Sequence, residues 1–85
     1  MLKTNGTEVK VKPKGRYFSL KELQGFVGGY IEIHKLQDGR EMILNEEGIL
    51  LNLPINESAT VLAYHLATSK GIRGDVLVTN AKLLE

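Results

Sequence analysis

Three short segments alternate between apolar and polar side chains, with the period of two that is typical of half-buried strands, and a fourth segment near the end of the chain also predicts a strand. The first is "TEVKVK" from Thr7, which Pro13 ends. "YIEIHKL" and "EMILN" flank Asp38 and Gly39, which predict a β-hairpin closed by a two-residue turn. "GDVLVTN" from Gly74 predicts a closing strand. The pattern therefore predicts four strands.

Two other segments show helical spacing and recognisable start signals. Ser19 with Glu22 three positions later forms a capping box, so we expect a helix over Leu20–Val27. Asn56 is a favourable cap for a second helix, which the pattern extends to about Ser69. Its apolar stripe consists of Ala59, Leu62, Ala63 and Leu66.

The predicted order is strand, helix, strand, strand, helix, strand. This β-α-β-β-α-β order is that of an α+β, ferredoxin-like split β-α-β fold, with a mainly antiparallel sheet and two helices on one face. A different α+β sheet with the same element order stays open. The 85 residues predict a single domain, and the pattern allows a disordered N-terminus over residues 1–6.

The glycines of "FVGGY" are placed for a structural role. Phosphate-binding loops have glycines after a strand and before a helix, whereas Gly28 and Gly29 follow a helix and precede a strand. We therefore expect a left-handed helix cap there. "NEEG" predicts a turn between strands with Gly48 in a left-handed conformation.

The predicted hairpin places several polar side chains on one face of the sheet. A two-residue turn pairs His34 with Ile43 and Glu32 with Asn45, which leaves Ile31, Ile33, Met42 and Leu44 as the core face. The opposite face carries Tyr30, Glu32, His34, Ile43 and Asn45. Such a platform can hold the hydroxyls or base edge of a small polar ligand; a merely solvated face is the alternative.

The loops around the hairpin and the second helix extend this candidate site. Glu46 and Glu47 follow the hairpin, and Asn52 and Asn56 flank a proline before a helix N-terminus, although Asn56 is also the cap. The predicted ligand-binding residues are Tyr30, Glu32, His34, Asn45, Glu46, Glu47, Asn52 and Asn56.

Basic residues are concentrated near the start of the chain. Five of them precede Tyr17 against one carboxylate, Glu8, whereas the whole chain has a net charge of +1. Lys10, Lys12 and Lys14 are therefore candidate phosphate contacts. The alternative is that they protect the edge of a first strand from aggregation.

Several function classes are disfavoured by the residues present. The chain has no cysteine, His34 and His65 lack metal-ligand spacing, and no segment approaches the ~20 apolar residues that span a bilayer, so we expect no metal, cofactor or membrane. The first and third predicted strands lack the aromatics of RNA-binding sheets, and neither helix has a basic cluster for DNA. Glu46 and Glu47 point apart in an extended chain, so no enzyme is predicted.

Three stretches in order, "LKELQGFVGGYIEI", "NEEGILLNLPINESAT" and "IRGDVLV", resemble a family of small domains of unknown function that is common in bacteriophages and mobile elements. The resemblance covers about residues 20 to 78. It implies a phage accessory protein made in the host bacterial cytoplasm, and no catalytic residues are carried over from it.

Size and setting together suggest a function. Small phage proteins of this type include ones that sequester nucleotide-derived signals of host immunity, often as homo-oligomers. We therefore expect a counter-defence protein that binds such a ligand without chemistry. The alternatives are a protein inhibitor that docks on a host enzyme, and a small nucleotide-cleaving enzyme.

Overall fold

The computed structural model describes residues 1–63 and 71–84. These residues form an α+β domain with a three-stranded antiparallel sheet in the order β1-β2-β3. No helix in these two ranges is long and apolar enough to cross a membrane. The elements are α1 (Leu20–Val27), β1 (Ile31–Lys35), β2 (Glu41–Asn45), α2 (Glu57–Leu62), β3 (Leu77–Thr79) and a 3₁₀ helix (Ala81–Leu83).

The predicted first strand does not form. Over Thr7–Lys12 only Glu8 makes an isolated bridge, to Leu2, and Leu2 in turn pairs with Val76 just before β3. Leu2 thus takes the backbone hydrogen bonds beside Val76 that a first strand would need, with N–O distances of 2.8 and 3.0 Å. The predicted ferredoxin-like order is consequently not confirmed.

Helix α1 begins and ends as its sequence predicts. The Ser19 hydroxyl accepts a hydrogen bond from the Glu22 amide, and the Glu22 carboxylate accepts one from the Ser19 amide, each at 3.1 Å. Gly28 ends the helix with φ of 79°, and its amide donates to the Gln24 carbonyl at 2.8 Å. The predicted left-handed cap is therefore confirmed. Glycine adopts this conformation readily because it has no Cβ that would clash.

The hairpin between β1 and β2 has a three-residue turn instead of the predicted two-residue turn. The Leu36 amide donates to the Arg40 carbonyl at 2.8 Å, and Gly39 has φ of 90°. A three-residue loop of this kind ends in a left-handed residue. It shifts the pairing by one, so that His34 lies opposite Met42, not Ile43.

This shift changes which residues share a face of the sheet. Ile43 and Leu77 pack with α1, in a cluster that also contains Phe18. Met42, Leu44 and Val76 pack on the other side, with Ala59 of α2. Since alternate residues of a strand point to opposite faces, the two helices cover opposite faces, and the prediction of both on one face is wrong.

Helix α2 starts at the predicted cap. The Asn56 side chain accepts a hydrogen bond from the Ala59 amide at 3.1 Å. The described helix is Glu57–Leu62. The predicted continuation to Ser69, with His65 on it, lies outside the described residues.

Candidate functional site

Asn45 is a buried structural residue at the junction of α1 and β2. Its side-chain amide donates to the Val27 carbonyl at 3.1 Å, and its side-chain oxygen accepts from the Glu47 amide at 2.8 Å. Gly29 lies so close that a Cβ there would come within 3.0 Å of Asn45 Nδ2. The predicted open platform is wrong in this part, because Asn45 faces α1.

Asn56 is fully buried and joins three segments of the chain. Its Nδ2 donates to the Leu2 carbonyl at 2.8 Å and to the Gly74 carbonyl at 2.9 Å, while its oxygen caps α2. Every polar atom of the side chain therefore has a protein partner within the described structure. Since Asn56 has no exposed surface, it is not accessible for ligand contact in this structure.

Ile43 was also predicted on the platform, but it lies on β2, is fully buried and packs with α1. Tyr30, Glu32 and His34 lie on the outer strand or directly before it, where they are accessible. Tyr30 is 65% exposed. Glu32 and His34 are half-buried and hydrogen-bonded to each other through the carboxylate and the imidazole Nε2. Glu32 and His34 lie on one side of β1 and Tyr30 directly precedes this strand, so the structure brings Glu32 and His34 together, although without Asn45.

The loop after β2 presents Glu46 and Asn52 to solvent and leaves Glu47 half-buried. Asn52 adopts a left-handed conformation with φ of 53°, whereas the predicted left-handed Gly48 has no positive φ. Gly48 is needed for a different reason: a Cβ there would lie 2.9 Å from Cβ of Arg73. A turn does follow β2 at "NEE", but it leads toward α2 instead of another strand, and its left-handed residue is Asn52.

Lys12 and Lys14 line an open groove of about 420 Å³ between the basic N-terminal segment and α1. Its other walls are Val11, Glu22, Gly25 and Phe26. Lys10 lies with Lys12 on an adjoining groove of about 250 Å³ that reaches the end of β3. The three predicted phosphate-contact lysines therefore lie on one surface, and Tyr30, Glu32 and His34 do not line either of its grooves.

The groove has positive charge with only partial compensation. The Glu22 carboxylate accepts hydrogen bonds from the Ser19 amide and from the Lys14 amide, the latter at 3.2 Å to Oε2. These bonds, the Ser19 amide first, hold the pKa of the Glu22 carboxyl below its ordinary value of 4.5. Among the described residues, neither the Lys12 nor the Lys14 amine forms an ion pair.

Sequence inspection missed Gly25 and Phe26 as parts of this groove. Glycine inside a helix costs stability, yet a Cβ at Gly25 would meet no atom within 4 Å, so packing does not require glycine there. Phe26 is fixed by an edge-to-face contact with Phe18, with ring centroids 5.8 Å apart. A helix-interior glycine beside an aromatic was the available signal.

The described residues contain no group of three or more His, Asp or Glu side chains that could hold a metal ion. The Glu32 and His34 pair is the closest contact between such groups. Two ligands do not complete the four-coordinate shell that zinc sites use.

The fold and these grooves define a small α+β domain with one antiparallel sheet, a helix on each face and an open basic groove beside the first helix. A family model described as a domain of unknown function (DUF3846) matches residues 2–83, and the chain belongs to this family. No curated protein and no solved structure matches the chain. The predicted membership of a family of unknown function is confirmed, while its phage association stays a prediction.

Proposed function

We propose that this protein binds a small anionic, nucleotide-type ligand without chemistry, in the groove between the N-terminal segment and α1. Lys12 and Lys14 would contact the phosphates. Phe26 offers an apolar wall for a base, and Gly25 leaves room for it. The observation that supports this proposal most directly is that two lysines line the groove beside an aromatic ring, and that neither amine has an ion-pair partner within residues 1–63 and 71–84.

The proposed setting is counter-defence in a bacterial cytoplasm, where withholding a nucleotide-derived signal would protect a phage. Support for the setting comes from the family resemblance and the size of the chain. A groove that is open along one side suits capture and storage of a ligand better than enclosed catalysis, which depends on excluding water.

Isothermal titration against cyclic dinucleotides and cyclic ADP-ribose isomers tests ligand binding. We expect Lys12→Ala and Lys14→Ala each to weaken the affinity about tenfold, because each removes one charge-assisted contact to phosphate. Lys35→Ala is the matched control, since Lys35 lies on β1, outside the groove, and should leave the affinity unchanged.

A second variant blocks the groove without removing charge. Gly25→Leu places a side chain in the open space above α1 and also raises helix propensity, so we expect a folded protein that no longer binds. Failure of every ligand in the panel, or binding that survives Gly25→Leu, would refute the proposal. Turnover that Glu46→Gln or Glu47→Gln abolishes would instead indicate a nucleotide-cleaving enzyme.

One further observation supports the alternative of a protein inhibitor. Ile49, Leu50 and Leu51 are consecutive and exposed, Leu50 by 79%. The Leu51 amide donates a hydrogen bond to the Glu47 carbonyl at 2.8 Å, which orders their loop. Exposed apolar side chains on an ordered loop are typical of protein contacts. Pull-down from host lysate with the wild type and with Leu50→Ser would test it: loss of a captured enzyme in the variant supports docking.

A further inference from the structure

Within residues 1–63 and 71–84, no strand lies beside the outer edge of β1. In the sheet order β1-β2-β3, β1 is hydrogen-bonded only to β2, and no isolated bridge among the described residues involves β1. The opposite edge is treated differently, because Leu2 pairs with Val76 beside β3. An exposed strand edge is a template for pairing with another strand.

The positions of known hydrogen bonds show which backbone groups point outward from β1. The Tyr30 carbonyl accepts from the Glu46 amide, and the Leu36 amide donates to the Arg40 carbonyl, so even-numbered residues point toward β2. In an antiparallel pair this direction alternates along the strand. The amide and carbonyl groups of Ile31, Ile33 and Lys35 are therefore directed to the outer edge.

The sequence of β1 is complementary to itself in the antiparallel direction. With two copies related by a twofold axis at Ile33, Ile31 of one copy lies opposite Lys35 of the other, and the outward groups make about six hydrogen bonds. Glu32 then lies opposite His34 of the second copy, twice. Such non-hydrogen-bonded pairs have the shorter Cα separation, so their side chains are close.

Two further features of the strand fit this pairing. Ile33 is 47% exposed although its partner on β2, Ile43, is fully buried, so contact between the two Ile33 side chains would remove apolar surface from water. Glu32 and His34 are already bonded within one chain. In the dimer they form a cluster of two carboxylates and two imidazoles. The charges of the two kinds of group are complementary when the imidazoles are protonated.

We propose that β1 pairs antiparallel with β1 of a second copy, which joins two three-stranded sheets into one six-stranded sheet across a twofold axis. In this dimer the two β1 strands pair in the register centred on Ile33. None of the residues that line the lysine groove belongs to β1. Dimer formation and ligand binding therefore succeed or fail separately.

Sedimentation velocity on the full chain at about 1, 10 and 100 μM tests the dimer. We expect a concentration-dependent dimer in the wild type. Ile33→Pro removes an outward amide and no bond to β2, so it should leave a folded monomer. A monomeric wild type at the highest concentration, or a dimer that persists in folded Ile33→Pro, would overturn the proposal.

A charge exchange tests the register itself. His34→Glu places carboxylates opposite each other and should weaken the dimer at least tenfold, while the double variant Glu32→His with His34→Glu restores the cross-strand pair and should recover it. Val61→Lys, at an exposed site on α2, is the control for added charge. A dimer that is insensitive to His34→Glu, or lost without recovery in the double variant while circular dichroism shows folded protein, would contradict the register.

Discussion

At the scale of single residues, two asparagines resemble ligand contacts in the sequence and are structural in the fold. Asn45 joins the end of α1 to β2, and Asn56 ties the N-terminal segment and the Gly74 loop to α2. Both side chains use a donor and an acceptor at once, a combination that an amide provides and a carboxylate does not. The residue type alone could not distinguish this structural role from ligand binding.

Asn56→Ala should reduce the free energy of unfolding by about 2–4 kcal/mol, because it removes three buried or part-buried hydrogen bonds, to the Leu2 carbonyl, the Gly74 carbonyl and the Ala59 amide. Urea denaturation measures this loss. Asn80→Ala is the matched control: Asn80 caps the exposed 3₁₀ helix through a single bond to the Lys82 amide, and its removal should cost at most about 1 kcal/mol. Equal losses of unfolding free energy in the two variants would contradict the structural role assigned to Asn56.

At the scale of elements, α1 contains all its boundary signals within a few residues. The capping box at Ser19 and the left-handed Gly28 are local features whose partners lie within one turn. Local hydrogen bonds do not depend on the rest of the fold, and the sequence therefore predicted both ends of this helix correctly.

Two glycine substitutions in this helix should act in opposite directions. Gly28→Ala introduces a Cβ at φ of 79° and should destabilise the protein by about 1–2 kcal/mol. Gly25→Ala should stabilise it by about 0.5–1 kcal/mol, because the helix interior gains propensity and the Cβ meets no atom. Thermal or urea denaturation of the pair provides the comparison, and a shared sign would contradict the two conformations.

Acid should weaken the start of α1. The pKa of Glu22 is lower in the folded chain than its ordinary value of 4.5, so its hydrogen bonds stabilise the protein above that value. This stability is lost as the pH falls through the lowered pKa.

Urea midpoints measured from about pH 6 to about pH 3 should fall less steeply in Glu22→Gln than in the wild type. A residual decline is expected, because hydrogen bonds from Arg40 also lower the pKa of Asp38. Glu46→Gln changes the net charge equally at an exposed site and is the control. Identical slopes for Glu22→Gln and the wild type would refute this role.

At the scale of the whole molecule, the N-terminal residues close the structure instead of forming a first strand. Leu2 bonds to Val76, the Thr4 amide donates to Asp75 at 2.9 Å, and Asn56 reaches the Leu2 carbonyl. The segment for which the sequence allows disorder thus has defined partners in the sheet and in α2.

Removal of residues 2–5 should destabilise the protein by at least about 2 kcal/mol, since it removes one of the two hydrogen bonds donated by the Asn56 amide and both backbone bonds between Leu2 and Val76. Lys3→Ala is the control, because it removes only the exposed 3.7 Å ion pair to Asp75 and should cost under about 1 kcal/mol. Denaturation curves of the two variants and the wild type measure the difference. A deletion as mild as Lys3→Ala would contradict the closing role.

The candidate site was predicted in part. Lys10, Lys12 and Lys14 share a surface as the charge pattern suggested, and Glu32 and His34 share a side of β1. The groove could not be predicted, because its wall comes from α1 and depends on how the N-terminal segment packs. Gly25 and Phe26 are adjacent to the lysines only in three dimensions.

The sequence by itself determined what local bonds control: the limits of α1, the cap of α2, the two hairpin strands and the turn at Gly39. Only the tertiary structure decided the register, the faces and the place of the first residues. The reason is that one additional turn residue reverses which side chains of a strand face inward. Whether Leu2 or the Thr7–Lys12 segment pairs with the sheet edge likewise depends on contacts between residues more than 70 positions apart in the sequence.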